Sequence, residues 1–285
     1  MKFKQGVDEF LDYVKVTKSD GTYDFYYRFC QALCAYIDTD LDEIDRKLVI
    51  NFISQKKKDN PDITNRTINK YILTIKRVVE YNTGRNLTFD KLNEVTKVIE
   101  TVPPEVSRKI FTYFQVNLGL YKEALRNLAF FKLLLDTGLR LSEALKLKVR
   151  DMDFQSSSIH VKITKTSNER YVFFTKPTAT ILHRLISDHR LSDWLFMNYK
   201  QNKRLSVNNV QKMVSRLTEA LNLSVSVSPH RWRHTFATNF LKNGGDLETL
   251  RMLMGHSSLK TTQRYLHLKK EDISQAYFRI NGDTE

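Results

Sequence analysis

Along residues 228–240, "SPHRWRHTFATNF", Trp232, Phe236 and Phe240 recur every fourth position, the spacing of one helical face. Ser228 favours an N-cap and Pro229 the first helical position, so a helix with a buried aromatic stripe is predicted to begin at Ser228. A second amphipathic stretch is "TNRTINKYILTIKRVVEYNTG". Ile72, Ile75, Val78 and Val79 fall on one side of its helical wheel, Arg66, Lys70, Thr74 and Arg77 on the other, and Gly84 supplies the stop. A basic face opposite an apolar one suits a helix lying along a phosphate backbone. A solvated surface helix is the plainer alternative.

The first hundred residues read as helices only. Pattern weakens after Gly84, and Pro103 with Pro104 disfavours a helix running through, while Pro104 suits the first turn of a new one. A boundary is therefore expected near residues 95 to 105. Helices continue through Asp136; "TGLRLSEALKL" then breaks and restarts the helix, with Gly138 at the turn and Ser142 as the next N-cap. "SSIHVKIT" alternates Ile159, Val161 and Ile163, and "ERYVFF" follows across a short polar turn, which predicts a β-hairpin. Helices resume near Thr178 and continue to the end. The last, over Lys269 to Ile280, carries Ile273, Tyr277 and Ile280 on one face; it is too short to stand alone and must dock, on a neighbouring copy or on its own domain. The expected architecture is mainly α: a helical domain over 1–98, then a mostly helical domain with one small antiparallel sheet over 104–285.

Composition narrows the partners. The chain has 285 residues, 41% hydrophobic and 27% charged, with only 9 Gly and 5 Pro, ordinary for a helix-rich globular protein. The net charge of +14 is not ordinary, and its usual meaning is a polyanionic partner, nucleic acid before an acidic membrane surface. The N-terminus lacks the apolar core of a signal peptide, and no apolar run approaches the roughly 18 residues of a membrane span. Cys30 and Cys34 lie one helical turn apart and read as small apolar residues of a cytosolic protein, which excludes a disulfide framework.

The N-terminal turn of the "SPHRWRHTFATNF" helix holds His230, Arg231 and Arg233, and His234 follows directly. Positive charge at an already positive helix end makes sense if an anion binds there. His230 and His234 have metal-ligand spacing, but Arg-Trp-Arg separates them where H-E-x-x-H has a glutamate, and two cations oppose Zn²⁺. No metal is expected. Three further stretches matter: "TGLRLSEAL" with Arg140 at a helix break, "ITKTSNERYV" with Lys165 at a hairpin turn, and "LMGHSSLKTTQRYLHL" with His256 and, nine residues on, Tyr265. Together and in this order they resemble the tyrosine recombinase (phage integrase) family. The family's pattern is T-G-[LM]-R-x-[SG]-E, a hairpin lysine, H-x-x-R, G-H, and a tyrosine nine residues after that histidine. Arg140, Lys165, His230, Arg233, His256 and Tyr265 match it, and Glu143 matches the acidic residue. The resemblance covers about residues 104 to 270, with residues 1–98 resembling the family's helical core-binding domain. The lysine turn departs from the commoner K-G-x-x-x-R, with Thr166 where glycine is usual, so Lys162 stands as the alternative.

The resemblance implies a site-specific recombinase that cuts and rejoins DNA through a 3′-phosphotyrosine, as a cytoplasmic, nucleoid-associated homo-tetramer on two DNA sites with inverted half-sites, two domains closing on the duplex. Because the sequence opens on the core-binding segment, a simple recombinase without an arm-binding domain is expected. Chemistry agrees: arginine forks match the extra charge of a pentacoordinate phosphate, and a lysine can protonate the leaving 5′-oxygen. His230 would assist proton movement at the tyrosine, His256 would donate to the phosphate, and Glu143 would orient the cations. The phosphotyrosyl linkage conserves the bond, so no cofactor is expected, neither ATP nor metal. A type IB topoisomerase-like or hairpin-resolving enzyme uses similar residues and is the first alternative; a non-catalytic DNA-binding regulator is the second.

Overall fold

The computed structural model describes residues 1–94, 99–162 and 169–266. The chain divides into two compact units, Met1–Lys97 and Val98–Glu285. The first unit is built from helices α1 (Phe3–Thr17), α2 (Asp20–Cys34), α3 (Arg46–Asp59) and α4 (Asn65–Thr83). The last three begin where a short polar side chain can cap: Ser19, Asp45 and Thr64 each accept a hydrogen bond from the backbone N–H three residues on. Gly84 closes α4 in the left-handed conformation (φ 67°). Phe3, Leu33, Ile44, Ile68 and Ile75 are fully buried between these helices, each contributing about 1.5–3 kcal/mol. Cys30 lies in this core as a free thiol, its pKa pushed up to about 12 by burial and then by Cys34 and Asp8; Cys34 is half-buried.

Arg66, Lys70 and Arg77 lie exposed along α4, with Arg66 paired to Glu94 and Arg77 to Glu80. Thr74 does not share their exposure. It is fully buried, with its hydroxyl donating to the Lys70 carbonyl, because α4 packs against both α1 and α2 and the buried arc is wider than its apolar residues alone suggest. The irregular segment after Gly84 is held by side chains rather than by a ladder. Asn69 bonds both the N–H and the C=O of Leu92, at 2.8 and 2.9 Å, while Leu87, Phe89 and Leu92 pack on the core.

The second unit starts with α5 (Pro104–Val116), Pro104 at its first position, and α6 (Glu123–Thr137). Most of α6 is buried on every side, Phe130, Phe131, Leu133 and Leu134 completely, because α5, α8 (Lys176–His189) and α10 (Pro229–Lys242) surround it. Gly138 ends α6 with φ 60°. The four-residue α7 (Leu141–Ala144) follows, capped at Arg140 rather than at Ser142: the Arg140 N–H donates to the Glu143 carboxylate at 2.7 Å, and Ser142 lies one residue inside, exposed. Strands β1 (Met152–Asp153), β2 (Ser158–Val161) and β3 (Arg170–Phe173) form an antiparallel sheet with Ile159 opposite Val172, both buried. Ile163, Lys165 and Thr166 lie outside the described residues, as does the whole expected helix Lys269–Ile280.

Helices do not run unbroken after α8. A second small hairpin intervenes, β4 (Met197–Asn198) with β5 (Lys203–Arg204), and the buried guanidinium of Arg126 on α6 pins it by donating to the Met197 carbonyl at 2.8 Å. Then come α9 (Val207–Ala220), α10, α11 (Leu247–Met254) and α12 (Leu259–Gln263). On α10 only Trp232 of the aromatic stripe is fully buried in the main core. Phe236 and Phe240 are half-buried and belong with Ala237, Leu250, Met254 and Tyr265 to a separate small cluster. Glycines let them in: a Cβ at Gly138 would stand 2.2 Å from the Phe236 ring, and one at Gly245 would stand 2.1 Å from Phe240.

Candidate active site

Six elements of the second unit converge at one place: the C-terminus of α6, the start of α7, strand β3, the first half of α10, and the turns around α11 and α12. Arg233 lies at the centre. It is 5% exposed, and its guanidinium donates to the carbonyls of Gly138 (2.5 Å) and Met254 (2.7 Å) and to His256 Nε2 (3.0 Å). Both carbonyls belong to helix ends that close on a left-handed glycine, where carbonyls lack helical partners. Burial first, then Arg140, lowers the Arg233 pKa to about 10, which leaves it charged at neutral pH.

Arg140 is half-buried, with Nη1 donating to Glu143 Oε1 and Nη2 to the Gly255 carbonyl, both at 2.9 Å. Arg170, 8% exposed at the start of β3, grips the same carboxylate with two bonds of 3.0 and 2.8 Å and donates Nε–H to the Leu253 carbonyl. Burial alone would raise the Glu143 pKa, yet Arg170 and Arg140 hold the carboxyl below its usual range. Three guanidiniums thus face one carboxylate, and the site keeps a positive excess. Gly255 makes this possible: a Cβ there would lie 2.8 Å from Arg170 Nη1.

The two histidines on the site's inner wall are neutral. Arginine is a donor only, so His256 Nε2 accepts from Arg233, and Nδ1–H donates to Thr262 Oγ1 at 2.9 Å. Burial, with Arg233 and Arg140 next, lowers the His256 pKa to about 4. In this arrangement neither ring nitrogen is free to donate to a phosphate. Tyr265, 7% exposed, places its hydroxyl 2.8 Å from His234 Nδ1. His230 is exposed at the helix start, its ring centroid 5.8 Å from that of His234. Burial raises the Tyr265 pKa, while Arg233 and Arg264 pull it down. Arg231, part of the basic cluster that marks the helix start, is committed to Glu100.

Arg140, Glu143, Arg233, His256 and Tyr265 are brought together, and His230 stands at the rim. Lys165 lies outside the described residues; its alternative Lys162 is exposed at the end of β2. Two participants are ones that the sequence pattern gives no role. Arg170 is the last letter of K-T-S-N-E-R, the arginine of the hairpin pattern, and His234 stands out in the sequence only by its zinc-ligand spacing. Among the described residues, no group of three or more His, Cys, Asp or Glu is placed to hold a metal.

Fold and site together define an anion-receptive pocket of fixed guanidiniums beside a buried phenol. Residues 85–272 match the phage integrase family, and residues 2–95 match the phage integrase SAM-like domain. The "Probable integrase/recombinase" of Acholeplasma phage L2 is 29% identical over 99% of this chain and 98% of its own length. Tyrosine recombinase XerC of Oceanobacillus iheyensis is 27% identical over 97% of each. The solved structure of the Tn1549 transposon integrase in complex with transposon right end DNA shares the fold, with TM-score 0.81 at 19% identity, covering 98% of this chain and 99% of that one. The chain therefore belongs to the phage integrase family, the tyrosine recombinases, and is an enzyme of site-specific DNA recombination.

Proposed function

We propose that Tyr265 is the nucleophile and that the enzyme cuts and rejoins duplex DNA through a 3′-phosphotyrosine at this residue. The observation that carries the reading is the Tyr265 hydroxyl, buried and hydrogen-bonded to a neutral imidazole on the same helix as Arg233. A guanidinium has five N–H groups. Three of those on Arg233 go to Gly138, Met254 and His256, and two of those on Arg140 to Glu143 and Gly255. Two and three remain, enough for each arginine to bind a non-bridging phosphate oxygen without breaking the hydrogen bonds that orient it.

Glu143 accepts from Arg140 and Arg170 on both oxygens and serves to position the arginines. His256 orients Arg233 through Nε2, and it donates to the phosphate only if Nε2 gains a proton, by protonation of the ring or by passing the Nδ1 proton across it. His230, exposed, meets the DNA at the mouth of the site and aids proton movement there. Lys165 protonates the leaving 5′-oxygen, a role it takes from the family's hairpin lysine. Arg66, Lys70 and Arg77 hold phosphates through the exposed side of α4. The working assembly is a homo-tetramer on two cytoplasmic, nucleoid-associated DNA sites, each with inverted half-sites.

A nicked duplex pool with a randomised core supplies the test, since strand release at the nick traps the covalent adduct. Wild-type protein should yield SDS-resistant adducts whose sequencing gives the cleaved site. Tyr265→Phe should bind the recovered duplex with unchanged affinity and form no adduct. An adduct from that variant would overturn the assignment.

A further inference from the structure

We propose that His234, rather than His230, is the catalytic residue that takes the proton from Tyr265. The inference deepens the reading of Tyr265 as nucleophile and rests on it. Its ground is direct contact: His234 Nδ1 lies 2.8 Å from Tyr265 Oη, with the two rings inclined at 55° and centred 5.6 Å apart. Both groups are held. The phenol is buried against Ala237, Leu250 and Met254, and His234 follows Arg233 on a helix whose neighbouring residues Trp232 and Arg233 are fixed by burial. His230, one turn earlier, is exposed and turned toward solvent.

The charges around His234 suit a base that is switched on by substrate. Arg231, Arg233 and His230 face it from its own helix and Arg264 from the segment carrying Tyr265; with burial as the larger cause, they lower its pKa to about 4. In the free enzyme the ring is neutral, able to accept a proton but weakly basic. A phosphodiester bound to Arg140 and Arg233 brings a negative charge into the same cluster, offsets these cations and raises the proton affinity of the ring. The Oη–H bond then breaks and the proton moves to Nδ1. The phenolate oxygen bonds to phosphorus, the bond from phosphorus to the 5′-oxygen breaks, and that oxygen takes its proton from Lys165. Rejoining runs the same transfers backwards, with His234 returning the proton to the tyrosine.

The test is single-turnover adduct formation on the nicked duplex that wild-type protein selects from the randomised pool. His234→Ala should bind that duplex as wild type does and cleave it about 10²–10⁴-fold more slowly at pH 7, the range of a lost general base. The wild-type rate should rise with pH and level off once the imidazole is unprotonated. The variant should keep climbing toward the phenol's own pKa, which burial holds above the ordinary tyrosine value, and added imidazole should restore part of its rate. His234→Gln, which preserves size and a hydrogen bond, covers the case in which the alanine variant fails to fold, and should be slow with intact binding. A wild-type rate in His234→Gln overturns the proposal, as does a slow variant that responds to neither pH nor imidazole, since that marks a purely structural role. An adduct from Tyr265→Phe would instead overturn the parent reading, so the two failures are distinguishable.

Discussion

Each oxygen of Glu143 accepts two hydrogen bonds, one from Arg140 and one from Arg170, so the carboxylate has no lone pair to spare for chemistry. Its worth is geometric, and it depends on Arg170. Leaving a buried charge wholly unpaired costs about 3–5 kcal/mol; without Arg170, Glu143 keeps only Arg140, so the loss is a part of that. Arg170→Ala should therefore lower the urea midpoint and slow adduct formation while the protein still binds DNA. Arg170→Lys should recover little of either, since an ammonium cannot make the bidentate grip. Full stability and cleavage in the lysine variant would mean that charge alone, not the fork, is required. The same grip explains a limit of sequence reading at this scale. Arg140, Arg233 and Tyr265 stand out by the chemistry their neighbours advertise. Arg170 reads as one more surface arginine on a strand, and only the fold shows it reaching Glu143 and the Leu253 carbonyl. His234 is visible as a histidine, but its partner lies 31 residues away, beyond any helical spacing.

Elements with long periodic patterns are legible in the sequence: α4 and α10 from their apolar spacing, the β2–β3 hairpin from its alternation, the start of α5 from Pro104. What escapes is set by packing or by very short runs. Two-residue strands such as β4 and β5 carry no readable alternation. Thr74 reads as the edge of a polar face, yet α4 has helices on two sides and buries it. Ser142 has the better intrinsic capping chemistry, but Glu143 reaching back to the Arg140 N–H starts the helix two residues earlier. Gly138 reads correctly as a turn, while its second duty, admitting Phe236, is tertiary. Gly138→Ala tests both duties at once. A left-handed φ costs a non-glycine residue roughly 1–2 kcal/mol, and the Cβ would overlap the Phe236 ring, which adds about 1–3 kcal/mol of overpacking. The variant is expected to lose about 2–5 kcal/mol in urea unfolding. Pairing it with Phe236→Ala should return the overpacking part only; a simple sum of the two single losses would show that ring and glycine do not interact.

At the scale of the molecule, the net charge of +14 is larger than one scissile phosphate requires. The excess is the signature of a long polyanion, and α4 carries part of it. Its pairs Arg66–Glu94 and Arg77–Glu80 are exposed ion pairs, worth about 0–1 kcal/mol each, so phosphates can displace the glutamates at little cost. The triple change of Arg66, Lys70 and Arg77 to alanine should weaken DNA binding. It should also flatten log affinity against log salt by about 0.9 for every phosphate no longer neutralised. An unchanged slope would return this face to plain solvent. Finally, Tyr265 is seated not in the main core of its unit but in the small cluster with Ala237, Leu250 and Met254. Prising that patch apart uncovers only a few side chains and leaves the packing around α6 whole. If Tyr265 is the nucleophile, its phenol is therefore fastened by a clasp whose strength is separate from the melting strength of the unit: opening this patch should cost far less than unfolding.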